Sequence, residues 1–398
     1  MKESYNFAWP VTAMAYEDYE ALKSCIENNR AKFENKQIIV FGAGIRGSVF
    51  AVILKKLGFH DLLFTDNNEK KWNGFINEFP IKSVLELENH LQDSTVIIAV
   101  ENGEGIKTQL EDVGFKENET YFYVKTDIYD IFMREFNKKM QTETLIFGDC
   151  GLSQVAIKDK DYENLGSMLK RRLNSETTKV LAMHGMGMRA FYNILAAQCQ
   201  MGMKPRKCAL MVNFEVFTGT HHLFPRTQHV PLIERIYKES GIENEELTTY
   251  HDLVHARVQQ LKLDVFSSAE ENTDNDLNRM LILRKNYMYK LKFDSEDVEY
   301  LKKILLFCKE ENIKVIPFIP PVNYMLTEQF FGGKFTTIYN ENCDKMKKYI
   351  KEIGYEVLDL SYLLPSNCFA DVNTIDETTN YKGRILWRDK LLERILEE

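Results

Sequence analysis

"IIVFGAGIRGSVFAVILKKLGFHDLLFTDNN", residues 38–68, contains one full repeat of an α/β architecture. An apolar run enters Gly42-Ala43-Gly44-Ile45-Arg46-Gly47, a helical stretch follows, and a second apolar run ends at Asp66. Strands that are apolar on both faces are buried between two layers. A helix that joins them makes the pair parallel, with a right-handed crossover. The alternation continues to residue 125 through "KSVLELENHL", "STVIIAV", "GIKTQLEDVGF" and "TYFYV", read in turn as helix, strand, helix and strand.

A second alternating series follows. Its strands read "TLIFGD" (144–149), "TKVLAMH" (178–184), "KCALMVNF" (207–214), "IKVIPFIPPV" (313–322) and "YEVLDLS" (355–361). Helical stretches such as "RAFYNILAAQCQ", "DSEDVEYLKKILLFCKEEN" and "NENCDKMKKYIKEIG" lie between them. At 398 residues the chain is too long for one ordinary core. The expected class is α/β: two three-layer parallel-sheet domains, with a helical extension over 1–35. The first domain covers 36–126, a helical connector 127–142, and the second domain 143–398. Within the second domain, residues from about 219 to 290 are polar and mixed and break the alternation. They are expected to be a helical insertion near the strand ends, where such folds place lids and specificity loops.

Composition narrows the function classes. Hydrophobic residues make up 44% and charged residues 28%, as in a globular domain. The formal charge of −8 speaks against general nucleic-acid binding. No apolar run approaches the ~20 residues that cross a bilayer. "MKESYNFAWPVTAMAYEDYEALK" lacks a basic segment followed by an apolar one, so a secretory leader is not expected. The seven cysteines are odd in number and scattered, without CxxC spacing, which predicts reduced thiols and a cytoplasmic setting.

The turn at 42–47 is a full GxGxxG between a strand and a helix. Gly42 would make the tight turn, Gly44 would admit a phosphate to the backbone, and Gly47 would let helix and strand close up. Asp66, closing the second strand, could accept hydrogen bonds from a ribose. A domain of this length holds half of a dinucleotide site, so a nucleotide, a nucleotide-sugar or an acyl-CoA would fit as well as NAD. Packing alone also accounts for glycines at such a turn, with Asp66 as a cap.

The stretch from 36 to 125 resembles the Rossmann-like N-terminal domains of PglD-type sugar acetyltransferases. Asp66-Asn67-Asn68, Lys71-Trp72-Asn73-Gly74, Pro80-Ile81 and Ser83-Val84 carry the likeness. The resemblance implies contact with a sugar nucleotide and a place in surface-glycan assembly.

The second domain resembles the SGNH hydrolase-like fold, in the branch that includes the D-alanyl-lipoteichoic-acid protein family. That family needs a nucleophile after its first strand in a Gly-Asp-Ser turn, and here the turn is Gly148-Asp149-Cys150. The resemblance implies an oxyanion hole from Gly185 or Gly187 in "AMHGMGMRAF" and from the Asn213 side chain. It also implies a closing Asp-x-x-His before a glycine and a final helix. Gly383 and "RILWRDKLLERIL" match that end, and Asp371 or Asp376 matches the Asp. Thr374 or Thr379 then stands where the histidine belongs, and no histidine follows His255.

Three readings of the second domain remain open. Cys150 is a nucleophile, since a thiol needs less help from a base than a hydroxyl and a helix N-terminus would lower its pKa. A base would then come from elsewhere: His184, His221, His222 or His229. Alternatively, Asp149, Asp371 and Asp376 form a carboxylate cluster for a polar ligand or a metal, or Cys150 is a small buried residue in an inactive site. The functions that follow are an acyl esterase or O-acyltransferase on a glycan or its nucleotide-linked precursor, and an inactive ligand-binding or scaffold protein. The partner would be a small molecule or glycan, with no nucleic acid, no membrane span and no metal. The helical stretches 14–35 and 127–142 offer surfaces for a homo-oligomer.

Overall fold

The computed structural model describes residues 13–76, 78–100, 102–218, 228–242, 275–375 and 377–397. His221, His222 and Asp376 lie outside them, as does much of the segment 219–290. The chain is α/β and divides into two compact units, Met1–Ile128 and Tyr129–Glu398. Among the described residues no helix is long and apolar enough to cross a membrane.

In the first unit, strands Gln37–Phe41, Leu62–Asp66, Phe75–Ile76, Phe79–Ser83, Ser94–Ile98 and Tyr121–Tyr123 form one sheet. Numbered along the chain, their order across the sheet is 3-4-2-1-5-6. All neighbours are parallel except the hairpin of the third and fourth strands. One face carries Ile39, Phe41, Leu63, Val96 and Ile98 against Leu110 of the helix Glu104–Val113. The helix Ile45–Lys56 buries Phe50, Ile53 and Leu54. Both faces being covered explains why the strands are apolar throughout.

"KSVLELENHL" departs from the expected helix. Its start completes the strand Phe79–Ser83, where Ile81, Lys82 and Ser83 pair with Phe64, Thr65 and Asp66. What remains is one 3₁₀ stretch, Val84–His90, begun by the Ser83 hydroxyl accepting from the Leu85 N–H. Pairing to a parallel neighbour claims residues that local periodicity assigns to a helix.

In the second unit the main sheet is made of Thr144–Gly148, Thr178–Ala182, Lys207–Met211, Lys314–Ile319 and Leu358–Asp359. Their order is 2-1-3-4-5, and every neighbouring pair is parallel. On one face Ile146, Ala209, Met211, Ile316 and Phe318 meet Leu165 and Leu169 of the helix Leu165–Leu173. Trp387, Leu391 and Ile395 of the C-terminal helix Tyr381–Glu397 join the same cluster. On the other face Phe147 packs on Phe191 of the helix Met188–Gln200, ring centroids 4.9 Å apart. Each such fully buried side chain contributes roughly 1.5–3 kcal/mol of transfer free energy.

The second strand is an edge strand, and it buries a lysine. Lys179 Nζ donates to the Phe136 carbonyl (2.9 Å), to Gln198 Oε1 (2.9 Å) and toward Met203 Sδ (3.4 Å). None of these partners is charged, and burial pulls the Lys179 pKa down to about 8.

Among the described residues of 219–290 lie the helices Val230–Ser240 and Asn275–Tyr287. Tyr237 of the first donates to Asn193 Oδ1 (3.1 Å), which ties it to the helix Met188–Gln200. Tyr287 ends the second and is fully buried.

Candidate functional site

A 2-1-3 strand order reverses direction beside its first strand. In open α/β sheets the crevice beyond the carboxyl ends of the strands at such a reversal is where ligands bind. The first strand ends at Gly148 and the third at Met211, so Asp149, Cys150 and Asn213 stand at the two lips of this reversal.

The Gly-Asp-Cys turn is built by short-range hydrogen bonds. Asp149 caps a single helical turn, Cys150–Ser153, with Oδ1 accepting from the Gly151 N–H at 3.0 Å. Its other oxygen, Oδ2, accepts from Asn213 Nδ2 at 2.7 Å, and Asn213 Oδ1 accepts from the Glu215 N–H at 3.1 Å. Asp149 and Asn213 are both buried, so this chain locks the first and third strand ends together. One turn of helix carries little macrodipole, which falls short of the helix N-terminus the sequence predicts for Cys150.

The group that meets the thiol is a carboxyl that the sequence reading did not select. Cys150 Sγ points at Glu377 Oε2, 3.8 Å away, within reach of an S–H···O hydrogen bond. Gly151 permits this approach. A Cβ at that position would stand 2.7 Å from Trp387 Cη2 and 3.1 Å from Glu377 Cβ. Glu377 is itself oriented by Tyr287, whose hydroxyl lies 2.9 Å from Glu377 Oε1 and 2.8 Å from Glu215 Oε1. Burial, then the Glu215 and Glu377 carboxyls, hold the Tyr287 phenol far above its ordinary pKa, so it stays protonated.

The donor atoms of Asp149, Cys150 and Glu377 converge within 4.8 Å, a spacing one ion can bridge. Each carboxyl is nevertheless already oriented by a protein neighbour, so the shape of the site is set by hydrogen bonds within the chain.

Asp371, His184 and His229 do not join this cluster, and their contacts and those of the remaining sequence candidates are their own. Asp371 pairs with Lys158 at 2.7 Å and accepts from the Asn373 N–H, and the Lys158 ammonium holds its carboxyl below the usual range. Thr374 receives the Asp371 N–H, and the Thr379 carbonyl accepts from Arg384. Gly187 is the N-cap of the helix Met188–Gln200 at the end of the second strand, where no side chain caps that helix. The His184 carbonyl accepts from His229 Nε2 at 3.1 Å. The His229 ring is buried, its Nδ1 has no hydrogen-bond partner, and burial followed by His184 pulls its pKa down to about 4.

In the first unit the glycine-rich turn is dense on one side and open on the other. A Cβ on Gly47 would lie 2.0 Å from the Gly42 carbonyl oxygen, so close helix–strand packing demands glycine there. Gly42 lies against Val100 and Ala99. A Cβ on Gly44 would meet nothing within 4 Å, and no side chain caps the helix that starts after it. Asp66 Oδ2 accepts from the Ala43 N–H (2.7 Å) and Lys71 Nζ (2.8 Å), while Lys71 also donates to the Ala43 carbonyl (2.9 Å). Asp66 is thus part of the turn's own scaffold, and it brings a lysine to the turn. Arg46 faces elsewhere: it bonds the Val100 and Val124 carbonyls and pairs with Asp18.

Glu215, Tyr287 and Glu377 were missed for different reasons. Glu215 had a visible signal, a lone carboxyl inside the apolar stretch "MVNFEVF". Glu377 is one of three acids between 371 and 377, and nothing local separates it from Asp371 or Asp376. Tyr287 lies in the irregular segment, 90 residues before its partner.

No protein-family model matches this chain, and no curated protein matches it in sequence.

Proposed function

We propose that the second unit is an SGNH-hydrolase-like acyl-transfer site with a flavodoxin-like strand order, in which Cys150 receives the acyl group and Glu377 replaces the missing histidine. The observation that carries this reading is the 3.8 Å approach of Glu377 Oε2 to Cys150 Sγ at the strand-order reversal. In the first half-reaction Cys150 Sγ attacks the acyl carbonyl and its proton passes to Glu377. The carbon–oxygen bond to the leaving alcohol breaks, and the alcohol departs with that proton. In the second half, Glu377 takes a proton from water or an acceptor hydroxyl, whose oxygen attacks the thioester and expels the Cys150 thiolate, which recovers the proton. Developing negative charge on the carbonyl oxygen needs donors. Gly187 N–H and the Asn213 amide are the candidates, and the amide nitrogen carries two hydrogens, one of which serves Asp149. Removing a positioned base costs about 10²–10⁴ in rate.

The substrate class rests on resemblance: an acylated surface glycan or its nucleotide-linked precursor, met in the cytoplasm. The first unit would hold the nucleotide-bearing partner. Its open Gly44, its uncapped helix start and the Lys71 ammonium at the turn support a phosphate there. A second reading, an inactive ligand-binding or scaffold protein, draws on the Asn213 amide being bonded to Asp149.

Intact mass and burst kinetics with p-nitrophenyl acetate separate the two. An acetyl adduct is expected on the wild type, absent from Cys150→Ala and slow to form in Glu377→Gln. A wild type that takes up no acetyl group and shows no burst would discard the acyl-transfer reading.

A further inference from the structure

Tyr287 stands between two buried carboxyls, and its hydrogen bonds impose a proton count. Its hydroxyl is 2.8 Å from Glu215 Oε1 and 2.9 Å from Glu377 Oε1, and the three side chains are 1%, 5% and 1% exposed for Tyr287, Glu215 and Glu377. A phenol has one proton to donate. Its contact with the second carboxyl is attractive only when that carboxyl brings a proton of its own and donates it to the phenol oxygen. Two ionised carboxylates this close in a buried place also repel, and such pairs hold on to one proton.

We propose that Glu215 and Glu377 share a single proton across Tyr287, and that Glu215 is thereby the positioning residue that makes Glu377 a stronger base toward Cys150. The consequence for Cys150 rests on the acyl-transfer reading, whereas the shared proton does not. When both carboxyls are ionised, Glu377 Oε2 takes the Cys150 proton while the single Tyr287 proton turns to Glu215. Taking that proton relieves the repulsion from Glu215, so the transfer is more favourable than to a lone carboxylate. The last proton of the pair leaves at higher pH than that of a single carboxyl. A carboxyl pair thus approximates what one histidine does, a base that titrates closer to neutrality.

The titratable groups around the pair come from several elements. Asp149 and Cys150 belong to the turn after the first strand, and Asp149 reaches the Glu215 backbone through Asn213. Tyr339 of the helix Lys334–Ile353 has its ring 5.9 Å from that of Tyr287, and Cys343 on the same helix acts on Tyr339 and Tyr289. Tyr289 donates to the Phe214 carbonyl next to Glu215, with Asp297 beyond it, and Asp359 acts on Tyr339. Burial holds Tyr339, Tyr289 and Cys343 up, which keeps all three neutral. Asp359 is paired with Lys347 at 2.9 Å, which offsets its charge, whereas the Asp149 carboxyl lies within 4.8 Å of that of Glu377 and favours retention of the proton.

Two measurements test the pair. The first is infrared spectroscopy on the full-length Cys150→Ala protein at neutral pH, where the carbonyl stretch of a protonated carboxylic acid is expected. The stretch should vanish in the Cys150→Ala/Glu215→Gln double variant. Its absence from Cys150→Ala, or its persistence in the double variant, would overturn the shared proton whatever Cys150 does. The second is the pH profile of the p-nitrophenyl acetate burst. Glu215→Gln, with folding checked by thermal melting, should shift the midpoint to lower pH by roughly 1 unit or more, the coupling at which two sites titrate as a pair. An unmoved midpoint in a folded variant would overturn the positioning role of Glu215. A wild type with the infrared signal but no burst would instead sink the acyl-transfer reading and leave the shared proton standing.

Discussion

Gly151→Ala tests whether packing in the core places the base of the site. The added methyl would lie 2.7 Å from Trp387 Cη2, and 3.1 Å from both Trp387 Cζ3 and Glu377 Cβ. Trp387 is fully buried among Ile146, Leu152 and Leu391, so it has no room to retreat as a rigid ring. Overpacking of this kind costs about 1–3 kcal/mol. For a unit of this size that corresponds to a fall in melting temperature of roughly 2–12 °C, at ~2–4 °C per kcal/mol. The turn itself is pushed off the Trp387 ring and off Glu377 Cβ, and at 3.8 Å the thiol contact has little to spare. The acetylation burst should then slow toward the rate of Glu377→Gln, a loss of up to about 10²–10⁴. The assay pairs a thermal melt with burst kinetics on the same preparation. A variant that loses stability yet keeps the full burst would refute the claim that Glu377 acts at Cys150. A variant that loses neither would refute the packing argument itself.

Three other expectations concern buried titratable groups. Lys179 ionises in the folded chain at about 8 rather than near 10.5, so the unfolded chain binds more protons between those values and stability should rise with pH across that window. The rise should total about 3 kcal/mol in urea unfolding and flatten in Lys179→Met; an unchanged slope in that variant would assign the effect elsewhere. His229 runs from the ordinary 6.5 down to about 4, so its stability contribution is intact above 6.5 and is lost as pH falls toward 4, again by about 3 kcal/mol. His229→Asn, which tolerates the local positive φ of 46°, should remove that acid sensitivity, and a wild-type-like decline would contradict a buried neutral imidazole. Iodoacetamide mapping at neutral pH should modify Cys150 first. Burial raises Cys25 to about 11 and Cys199, Cys308 and Cys343 to about 12, while Cys208 and Cys368 are fully buried. Cys150 labelling no faster than Cys25 would remove the reason to single it out.

The apolar runs were the legible part of this protein. "QIIVF", "STVII", "TLIFG" and "KCALM" each became a central parallel strand, because a run apolar on both faces has one stable place, between two layers of helices. The turn at Asp149 was legible for a similar local reason, since its cap is made with Gly151 two residues away. The 3₁₀ stretch Val84–His90 was not, because its preceding residues were claimed by a strand distant in sequence.

Sequence alone therefore determined the α/β class, the positions of the central parallel strands and the place of Cys150 at a strand end. Tertiary structure alone decided which acid faces the thiol. Glu377 reaches Cys150 across 227 residues, and it meets Glu215 through Tyr287, 90 residues from the one and 72 from the other, by way of a tryptophan packed on a glycine. Local periodicity records which side of an element is buried. It holds no information about which buried carboxyls meet, because that distance is set by the packing of helices and turns far apart in the chain.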